Sequence, residues 1–280
     1  MQVSVLMSVY NGEATLRTAM DSILAQTFSD FEFIICDDGS TDSSWDILCG
    51  YQKEDDRVRV FQNLQNLGLA ASLNSCLALA KGRYIARQDA DDISDPERLK
   101  KTLLYLQKEN APYAGCGVHV FDDDGIWSRR IFPEQITKHI IARNNPFFHP
   151  TMVFKKETLE LAGGYRVSPE TRRTEDYDLV MRLAGLGVIG KNLQEYLYYV
   201  YEPPEAYRRH TLRTRWYEVL VRLHGLRRMA APLWDYVYLC KPIVMCMIPH
   251  SLLKQVKRLQ WRKQEEGYTH GSTERNSLHT

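Results

Sequence analysis

Three aspartates lie within four residues, at Asp89, Asp91 and Asp92, directly after a short stretch that is typical of a strand. Like charges this close repel one another unless a positive group lies among them. Carboxylate oxygens are the ligands that hard divalent ions such as Mg²⁺ and Mn²⁺ prefer. Asp89 and Asp91 are two residues apart, so an extended backbone would point both side chains to one side. A metal site and a solvated acidic turn before a helix both explain these residues.

A second acidic group, Thr174-Glu175-Asp176, lies at the predicted start of a helix. Thr174 can cap this helix, and the helix dipole favours carboxylates in the first turn. An ordinary acidic helix start accounts for the pattern. The functional alternative is a general base, because a carboxylate held at a helix N-terminus beside a crevice can accept a proton.

Strands and helices alternate around these groups. Hydrophobic periodicity predicts strands at 3–9, 31–36, 58–62 and 83–87, and helices at 13–26, 43–53, 69–80 and 95–109. The last helix is expected to begin with Asp95 as N-cap and Pro96 as its first residue. Two further strands are predicted around a turn at Asp122-Asp123-Asp124-Gly125. The order predicts an α/β fold with a doubly wound, mostly parallel sheet flanked by helices.

Polar turns follow three of the predicted strands, at Tyr10–Glu13, Asp37–Asp42 and Asp89–Asp92. Ligands of doubly wound sheets bind beyond the carboxyl ends of the strands, so one crevice is expected to gather all three turns. A dinucleotide site is not indicated, because no Gly-x-Gly-x-x-Gly follows the first strand. The acidic turn also lacks the glycine and the distant glutamate of an EF-hand loop.

The composition is that of an ordinary globular protein: 280 residues, of which 44% are apolar and 25% charged, with a net charge of +1. This charge gives no reason to expect a nucleic-acid partner. Six cysteines include no Cys-x-x-Cys pair, which favours free thiols in a reducing compartment. The N-terminus reads as a first strand rather than a signal peptide, and no run of about 18 apolar residues predicts a spanning helix.

The carboxyl end is basic. Residues 204–263 hold thirteen Lys and Arg against Glu205, Glu218 and Asp235, a balance of about +10. An apolar stripe at Trp216, Val219, Leu220, Leu223 and Leu226 is flanked by Arg215, Arg222, Arg227 and Arg228. Such helices are expected to lie in an anionic membrane surface. The alternative is that they pack on the preceding domain with a solvated basic face. The tail at 265–280 is polar and is predicted to be disordered.

Seven motifs, taken in order, resemble the inverting family 2 glycosyltransferases, which have the GT-A fold. The similarity covers roughly residues 3–210. It rests on Ser-Val-Tyr-Asn-Gly at 8–12, Asp-Asp-Gly-Ser-Thr-Asp at 37–42, Asp-Ala-Asp-Asp at 89–92, Asp-Pro-Glu-Arg-Leu at 95–99, His-Pro-Thr at 149–151, Gly-Gly-Tyr at 163–165 and Thr-Glu-Asp at 174–176.

The resemblance implies a nucleotide-binding set at the ends of the first strands. Asp38 is expected to accept a hydrogen bond from the nucleotide base. Ser8, Tyr10 and Glu13 are expected beside it, and Asp89 is expected to face the ribose or the metal. Uridine is the preferred base.

The resemblance also implies a metal and a base. Asp91 is the expected ligand of a divalent metal, Mn²⁺ or Mg²⁺, with Asp89 as its partner and His210 as a further metal or diphosphate contact. Asp92 is expected to be structural. Asp176 is expected to take the proton from the acceptor hydroxyl, flanked by Glu175, in one displacement that inverts the anomeric carbon.

The expected organisation is a GT-A domain at 1–206, with a nucleotide-sugar half at 1–110 and an acceptor half at 111–206, followed by a basic helical extension at 207–264. Arg-Thr-Arg-Trp at 213–216 lacks the glutamine of the Gln-x-x-Arg-Trp motif of processive synthases, which favours transfer of a single sugar. The expected acceptor is a lipid-linked or oligosaccharide chain of a bacterial surface polysaccharide such as O-antigen, at the inner face of the cytoplasmic membrane. A sugar nucleotidyltransferase and a non-catalytic membrane-bound scaffold are the alternatives.

Overall fold

The structure is a computed structural model, and it describes residues 1–203 and 212–246. The strands are β1 (Val3–Val9), β2 (Phe31–Asp37), β3 (Val58–Gln62), β4 (Tyr84–Arg87), β5 (Ile93–Ser94), β6 (Tyr113–Asp122), β7 (Gly125–Arg130), β8 (Val153–Lys155) and β9 (Lys191–Tyr201). The helices are α1 (Leu16–Leu24), α2 (Ser44–Glu54), α3 (Leu69–Leu79), α4 (Arg98–Lys108), α5 (Lys138–Arg143), α6 (Lys156–Leu161), α7 (Glu175–Gly185), α8 (Leu212–Arg228) and α9 (Lys241–Cys246). Three short 3₁₀ segments lie at His149–Thr151, Pro169–Thr171 and Leu233–Cys240.

The nine strands of the described residues belong to one sheet, which runs in the order β3-β2-β1-β4-β8-β6-β9-β5, with β7 paired to β6. The amino-terminal half is parallel: β1 pairs with β2 and β4, and β2 pairs with β3. The other half is mixed, because β8 is antiparallel to both β4 and β6 while β9 is parallel to β6. The predicted α/β sheet is therefore confirmed.

Both faces of the sheet are covered, as the apolar runs predict. Val3, Val5 and Met7 of β1 pack into one core with α1, α2 and α4. Leu6, which points the other way along the same strand, packs into a second core with α3, α6 and α7. A strand buried on both faces reads as a continuous apolar run, which is why the sequence identified these strands well.

The helix predicted at 95–109 begins three residues later, at Arg98, with Glu97 and not Asp95 as its N-cap. The Asp95 carbonyl accepts from the Gln26 side chain at 2.7 Å, and the Pro96 carbonyl accepts from Thr27 N at 2.9 Å. These tertiary bonds, together with the bond from Arg98 N to the Asp95 carbonyl, hold a tight turn before the helix.

Strands β5 and β9 were not predicted from the sequence. β9 is eleven residues long and pairs with β6 and with the two-residue β5. Asp92 Oδ1 accepts a hydrogen bond from Tyr201 N at 2.8 Å, so β9 is tied directly to the acidic turn. Few of its side chains are fully buried, and its alternation was too weak to identify as a strand.

α8 packs on α5 and α7, and its buried side differs from the predicted apolar stripe. Arg222, expected on a basic face, is buried, whereas Trp216, expected on the apolar stripe, is exposed. The Arg222 guanidinium lies over the Tyr177 ring and donates to the Ala142 carbonyl at 3.2 Å, while Glu218 supplies its counter-charge. Within residues 1–203 and 212–246, no helix is long and apolar enough to cross a membrane.

Candidate active site

The turns that follow β1 and β2 are joined by hydrogen bonds, as the sequence predicts. Asn11 N donates to Ser40 Oγ at 2.9 Å, and Asn11 Oδ1 accepts from Thr41 N at 2.8 Å. Glu13 Oε2 accepts from Ser43 N at 3.0 Å, at the N-terminus of α2. Glu13 therefore fixes the turn and caps α2, and its contact with a nucleotide stays a prediction.

The acidic turn after β4 joins the same edge of the sheet. Thr15 Oγ1, at the start of α1, donates to the Ala90 carbonyl at 3.0 Å. All three polar turns therefore meet at the carboxyl ends of β1, β2 and β4. The described structure thus brings the three turns together at one edge of the sheet, as expected for a doubly wound fold.

Asp38, the predicted base contact, is buried at this edge and holds a neighbouring loop. Its Oδ1 accepts from Asn63 Nδ2 at 2.8 Å and from Leu67 N at 2.9 Å, and its Oδ2 accepts from Gly68 N at 2.8 Å. A carboxylate has about four acceptor positions, so one position on Oδ2 is left for an N–H of a base. The sequence did not predict this loop-holding role.

Ser8 and Tyr10 border the same crevice from the end of β1. Ser8 is partly exposed and opposes Cys36 across the β1–β2 pair, while the Tyr10 side chain is largely exposed. Gly39, in the facing turn, has φ of +75°, and a Cβ there would lie 2.8 Å from the Gln65 backbone. Only glycine allows this close approach. The exposed Tyr10 ring therefore lies on the same edge as the tightly packed backbone at Gly39.

The acidic turn is held from below by buried polar side chains. Arg87, at the end of β4, is buried and pairs with the Asp89 carboxylate. Gln88 Nε2 donates to the carbonyls of Asp89 and Asp92, each at 3.0 Å. The Asp89 N–H donates to the Tyr198 hydroxyl of β9 at 3.2 Å. The backbone of the turn is thus fixed, while the Asp91 side chain is exposed and that of Asp89 is partly exposed.

The three carboxylates form a set suited to a divalent cation. One oxygen from each of Asp89, Asp91 and Asp92 lies within 4.8 Å of the others. Burial, and then the charges of Asp89 and Asp91, raise the pKa of Asp92 well above its ordinary value. A hard cation fits this oxygen-rich turn, and Asp92, expected to be structural, lies in the set while also binding Tyr201 N.

Asp176 lies at the N-terminus of α7, and Asn145 holds its carboxylate. Asn145 Nδ2 donates to Asp176 Oδ2 at 2.7 Å. Burial raises the pKa of Asp176 above its ordinary value, the Asn145 bond opposes the rise, and the charge of Asp89 adds to it. Asp176 and Asp89 are thus within electrostatic range across one crevice. Thr174 is the N-cap as predicted, but its hydroxyl donates back to the Thr171 carbonyl at 3.3 Å instead of capping.

A profile described as glycosyl transferase family 2 matches residues 4–160 of this chain. The putative glycosyltransferase EpsE of Bacillus subtilis is 39% identical over 268 residues, which are 95% of this chain and 96% of EpsE. The chain belongs to glycosyltransferase family 2.

Other relatives and solved structures agree with this family. The UDP-Glc:alpha-D-GlcNAc-diphosphoundecaprenol beta-1,3-glucosyltransferase WfaP of Escherichia coli is 28% identical, over 68% of this chain and 73% of its own length. S. aureus TarS in complex with UDP-GlcNAc superposes with a TM-score of 0.65 at 19% identity, over 86% of this chain and 72% of TarS. The mannosyltransferase PcManGT of Pyrobaculum calidifontis, in complex with GDP-Man and Mn²⁺, gives 0.61 at 17% identity, over 91% and 79%. The fold of this family 2 glycosyltransferase is therefore GT-A.

Two residues of this glycosyltransferase, His149 and Tyr165, were not assigned a function from the sequence. His149 Nε2 and the Tyr165 hydroxyl are 2.9 Å apart. Burial, with the charge of Arg87, holds the pKa of His149 well below its ordinary value, so the ring is neutral. Both residues stand in motifs that carried the family resemblance, but a histidine and a tyrosine sixteen residues apart give no signal that they meet. His210, the expected further metal contact, lies outside the described residues.

Glu175, beside the candidate base, should make the stability of this glycosyltransferase depend on pH. Burial raises its pKa from 4.5 to about 7, and the charge of Asp176 adds to the rise. A carboxyl group with a raised folded-state pKa stabilises the fold fully below its unfolded pKa, and this contribution is lost as pH rises through the folded pKa. The loss should fall between about pH 4.5 and pH 7 and amount to at most about 3 kcal/mol.

Glu175→Gln should escape this loss. The free energy of unfolding of the variant, minus that of the wild type, is expected to increase between pH 5 and pH 8, which urea unfolding at the two pH values measures. Glu157→Gln, in the exposed first turn of α6, is the matched control. If the free energy of unfolding of Glu175→Gln differed from that of the wild type by the same amount at both pH values, the pKa of Glu175 would not be raised in the fold.

Proposed function

We propose that this enzyme transfers a single sugar from a nucleoside-diphosphate sugar to a saccharide acceptor in bacterial surface-polysaccharide synthesis. One observation carries the proposal. Three polar turns lie together at one end of the sheet, and the charge of Asp89 in one of them acts on Asp176 at the N-terminus of α7, which supports a metal cluster and a base in one site. Nucleotide binding and proton removal are the two tasks that sugar transfer requires.

A UDP-sugar is the favoured donor. WfaP uses UDP-Glc by its name, and TarS binds UDP-GlcNAc in a GT-A fold, although PcManGT binds GDP-Man. The open acceptor position on Asp38 Oδ2 suits an N–H such as that of uracil. The exposed Tyr10 ring offers a face on which a base can stack.

Asp91 and Asp89 would hold the metal, Mn²⁺ or Mg²⁺. A bound cation neutralises the charge that develops on the departing nucleoside diphosphate. The protein's own part is positional: Gln88 and Tyr198 fix the backbone of the turn, and Arg87 orients Asp89. The GT-A fold of PcManGT with Mn²⁺ supports this role.

Asp176 would act as general base. Its raised pKa brings the carboxylate closer to the pKa of an efficient base near neutral pH. Asn145 holds Oδ2 and so orients the carboxylate, which would accept the proton of the acceptor hydroxyl. The oxygen would then attack the anomeric carbon from the face opposite the diphosphate. This single displacement inverts the configuration and requires no enzyme nucleophile.

The proposed acceptor is a lipid-linked oligosaccharide, and the enzyme would work at the inner face of the cytoplasmic membrane. WfaP acts on a diphosphoundecaprenol acceptor by its name, which supports this class. The basic carboxyl end, with about +10 over residues 204–263, suits an anionic bilayer.

Thermal unfolding with a panel of UDP-, GDP- and dTDP-sugars tests the donor assignment. A UDP-sugar with Mn²⁺ is expected to raise Tm more than the same sugar without metal, because a ligand stabilises the state to which it binds. Equal shifts for all three bases would contradict the preference for uridine. No shift with any donor would contradict the proposed donor class.

A further inference from the structure

The outer side of residues 233–244 is unusually apolar for a protein surface. Five large apolar side chains are exposed there, from 47% for Ile243 to 87% for Leu233. Soluble proteins seldom expose contiguous apolar surface without a partner. We call these residues the apolar rim: Leu233, Trp234, Val237, Ile243 and Val244.

The inner side of the same segment is firmly held, so this exposure belongs to a packed element. Asp235 is buried, and its Oδ1 lies 2.6 Å from His139 Nδ1. Tyr236 and Leu239 pack against the core beneath α5 and α8. Lys241 Nζ donates to the Arg143 carbonyl at 3.3 Å. The rim is thus presented by a segment whose polar groups face inward.

The charge around the rim matches an anionic surface. Asp235 is the only acidic residue between 229 and 263, and it is buried. Directly after α9 the sequence carries five cations and no acid up to residue 263, at Lys254, Lys257, Arg258, Arg262 and Lys263. Exposed Trp and aliphatic side chains in a basic part of the sequence are typical of proteins that lie on anionic bilayers.

The direction of α8 relates this surface to the candidate base. Arg222 Nη1 donates to the Tyr177 hydroxyl at 3.2 Å, and a Cβ on Gly225 would lie 2.3 Å from Met181 Sδ. Arg222 and Gly225 of α8 thus contact Tyr177 and Met181 of α7 in the same order along the chain, so α8 runs parallel to α7. A helix rises about 1.5 Å per residue, so Leu212 lies roughly 15 Å ahead of Arg222.

The first turns of α8 consequently extend past the N-terminus of α7, where Asp176 lies. Leu212 and Trp216 are one turn apart and both exposed. The rim approaches the base from the other side, because Lys241 also donates to Asn144 Oδ1, and the next residue, Asn145, binds Asp176. The exposed apolar side chains of α8 and of the rim therefore lie toward the end of α7 that carries Asp176.

We propose that the apolar rim, with Leu212 and Trp216, docks on an anionic lipid bilayer and turns the Asp176 side of the crevice toward it. The idea rests on the proposed function in one respect: the benefit of this orientation is access to a lipid-linked acceptor. A saccharide that projects from the bilayer would meet the base without leaving the surface. The bilayer is favoured over a second copy of the chain because residues 204–263 carry a balance of about +10, which attracts an anionic surface and opposes association with an identical chain.

Sedimentation of the full chain with vesicles tests the docking. Vesicles of phosphatidylcholine with phosphatidylglycerol are expected to bind the protein, and the variant Trp234→Ser/Val237→Ser should bind at least about tenfold more weakly. The matched control is Leu104→Ser/Leu161→Ser, which removes two exposed leucines from α4 and α6. Equal loss in both variants, or equal binding by both, would overturn the proposal.

Quenching of tryptophan fluorescence by brominated lipid locates the contact. Trp234→Phe keeps the apolar surface and is expected to bind vesicles as the wild type does while losing part of the quenching. Trp45, a residue of α2, packs against the core, so the variant Trp45→Phe should retain the quenching. Unchanged quenching in Trp234→Phe would show that another segment, such as residues 247–280, or a second copy covers the rim.

Hydrolysis of the sugar donor in solution separates this proposal from the proposed function. The Trp234→Ser/Val237→Ser variant should hydrolyse donor at the wild-type rate, since neither residue lies in the crevice. Vesicle binding without any donor hydrolysis would overturn the function and leave the docking. Hydrolysis without specific vesicle binding would overturn the docking alone.

Discussion

Replacing Asp176 with asparagine is expected to slow sugar transfer by about 10²–10⁴-fold, the range that loss of a general base produces. The amide is nearly the same size as the carboxylate and can still accept the hydrogen bond from Asn145, so the crevice should keep its shape. It cannot take a proton from the acceptor hydroxyl. The loss should therefore appear in kcat with little change in donor binding, measured by steady-state kinetics and by calorimetry with the donor.

Asp124→Asn is the control for the Asp176 variant, because it makes the same change in the exposed β6–β7 turn. It should leave kcat unaltered. If Asp176→Asn kept wild-type turnover, Asp176 would not be the base, and Glu175 would be the next carboxylate to test.

Replacing Asp91 with asparagine is expected to remove most of the metal dependence of donor binding. The amide supplies a neutral oxygen where a hard cation prefers a charged one. Donor affinity measured in Mn²⁺ should fall toward the metal-free value, and transfer should fall at least about 10²-fold, because charge on the departing diphosphate is no longer neutralised.

Asp92→Asn tests whether the third carboxylate of the cluster is also a ligand. Asparagine can accept the hydrogen bond from Tyr201 N, so a structural role should survive the change. The expected result is near wild-type Mn²⁺ dependence. Loss of that dependence in Asp92→Asn, with retention in Asp91→Asn, would reverse the two assignments.

Strand order and the position of the crevice were predictable because they depend on local pattern. The apolar run of β1 and the turn at Asn11 are contiguous in the sequence, and the parallel arrangement places successive strand ends together. The hydrogen bond that Asn11 N donates to Ser40 Oγ and the one that Asn11 Oδ1 accepts from Thr41 N confirm that expectation.

Other features of the site depend on contacts that no spacing reveals. Asn145 lies thirty-one residues before Asp176, in a stretch without periodicity, yet it holds the candidate base. Arg87 reads as the last residue of an apolar strand, and only the fold shows it buried under Asp89. Arg222 reads as part of a basic face, but Glu218 and the Ala142 carbonyl in the last turn of α5 allow it to be buried.

The anomeric configuration of the first product tests the central claim most directly. In the absence of acceptor, water can take the place of the acceptor hydroxyl, and proton NMR can follow the sugar released from a donor such as UDP-glucose, whose anomeric bond is α. A single displacement driven by one base predicts that β-glucose appears first and mutarotates later, and that Asp176→Asn releases it far more slowly. Release of α-glucose first would contradict the proposed mechanism.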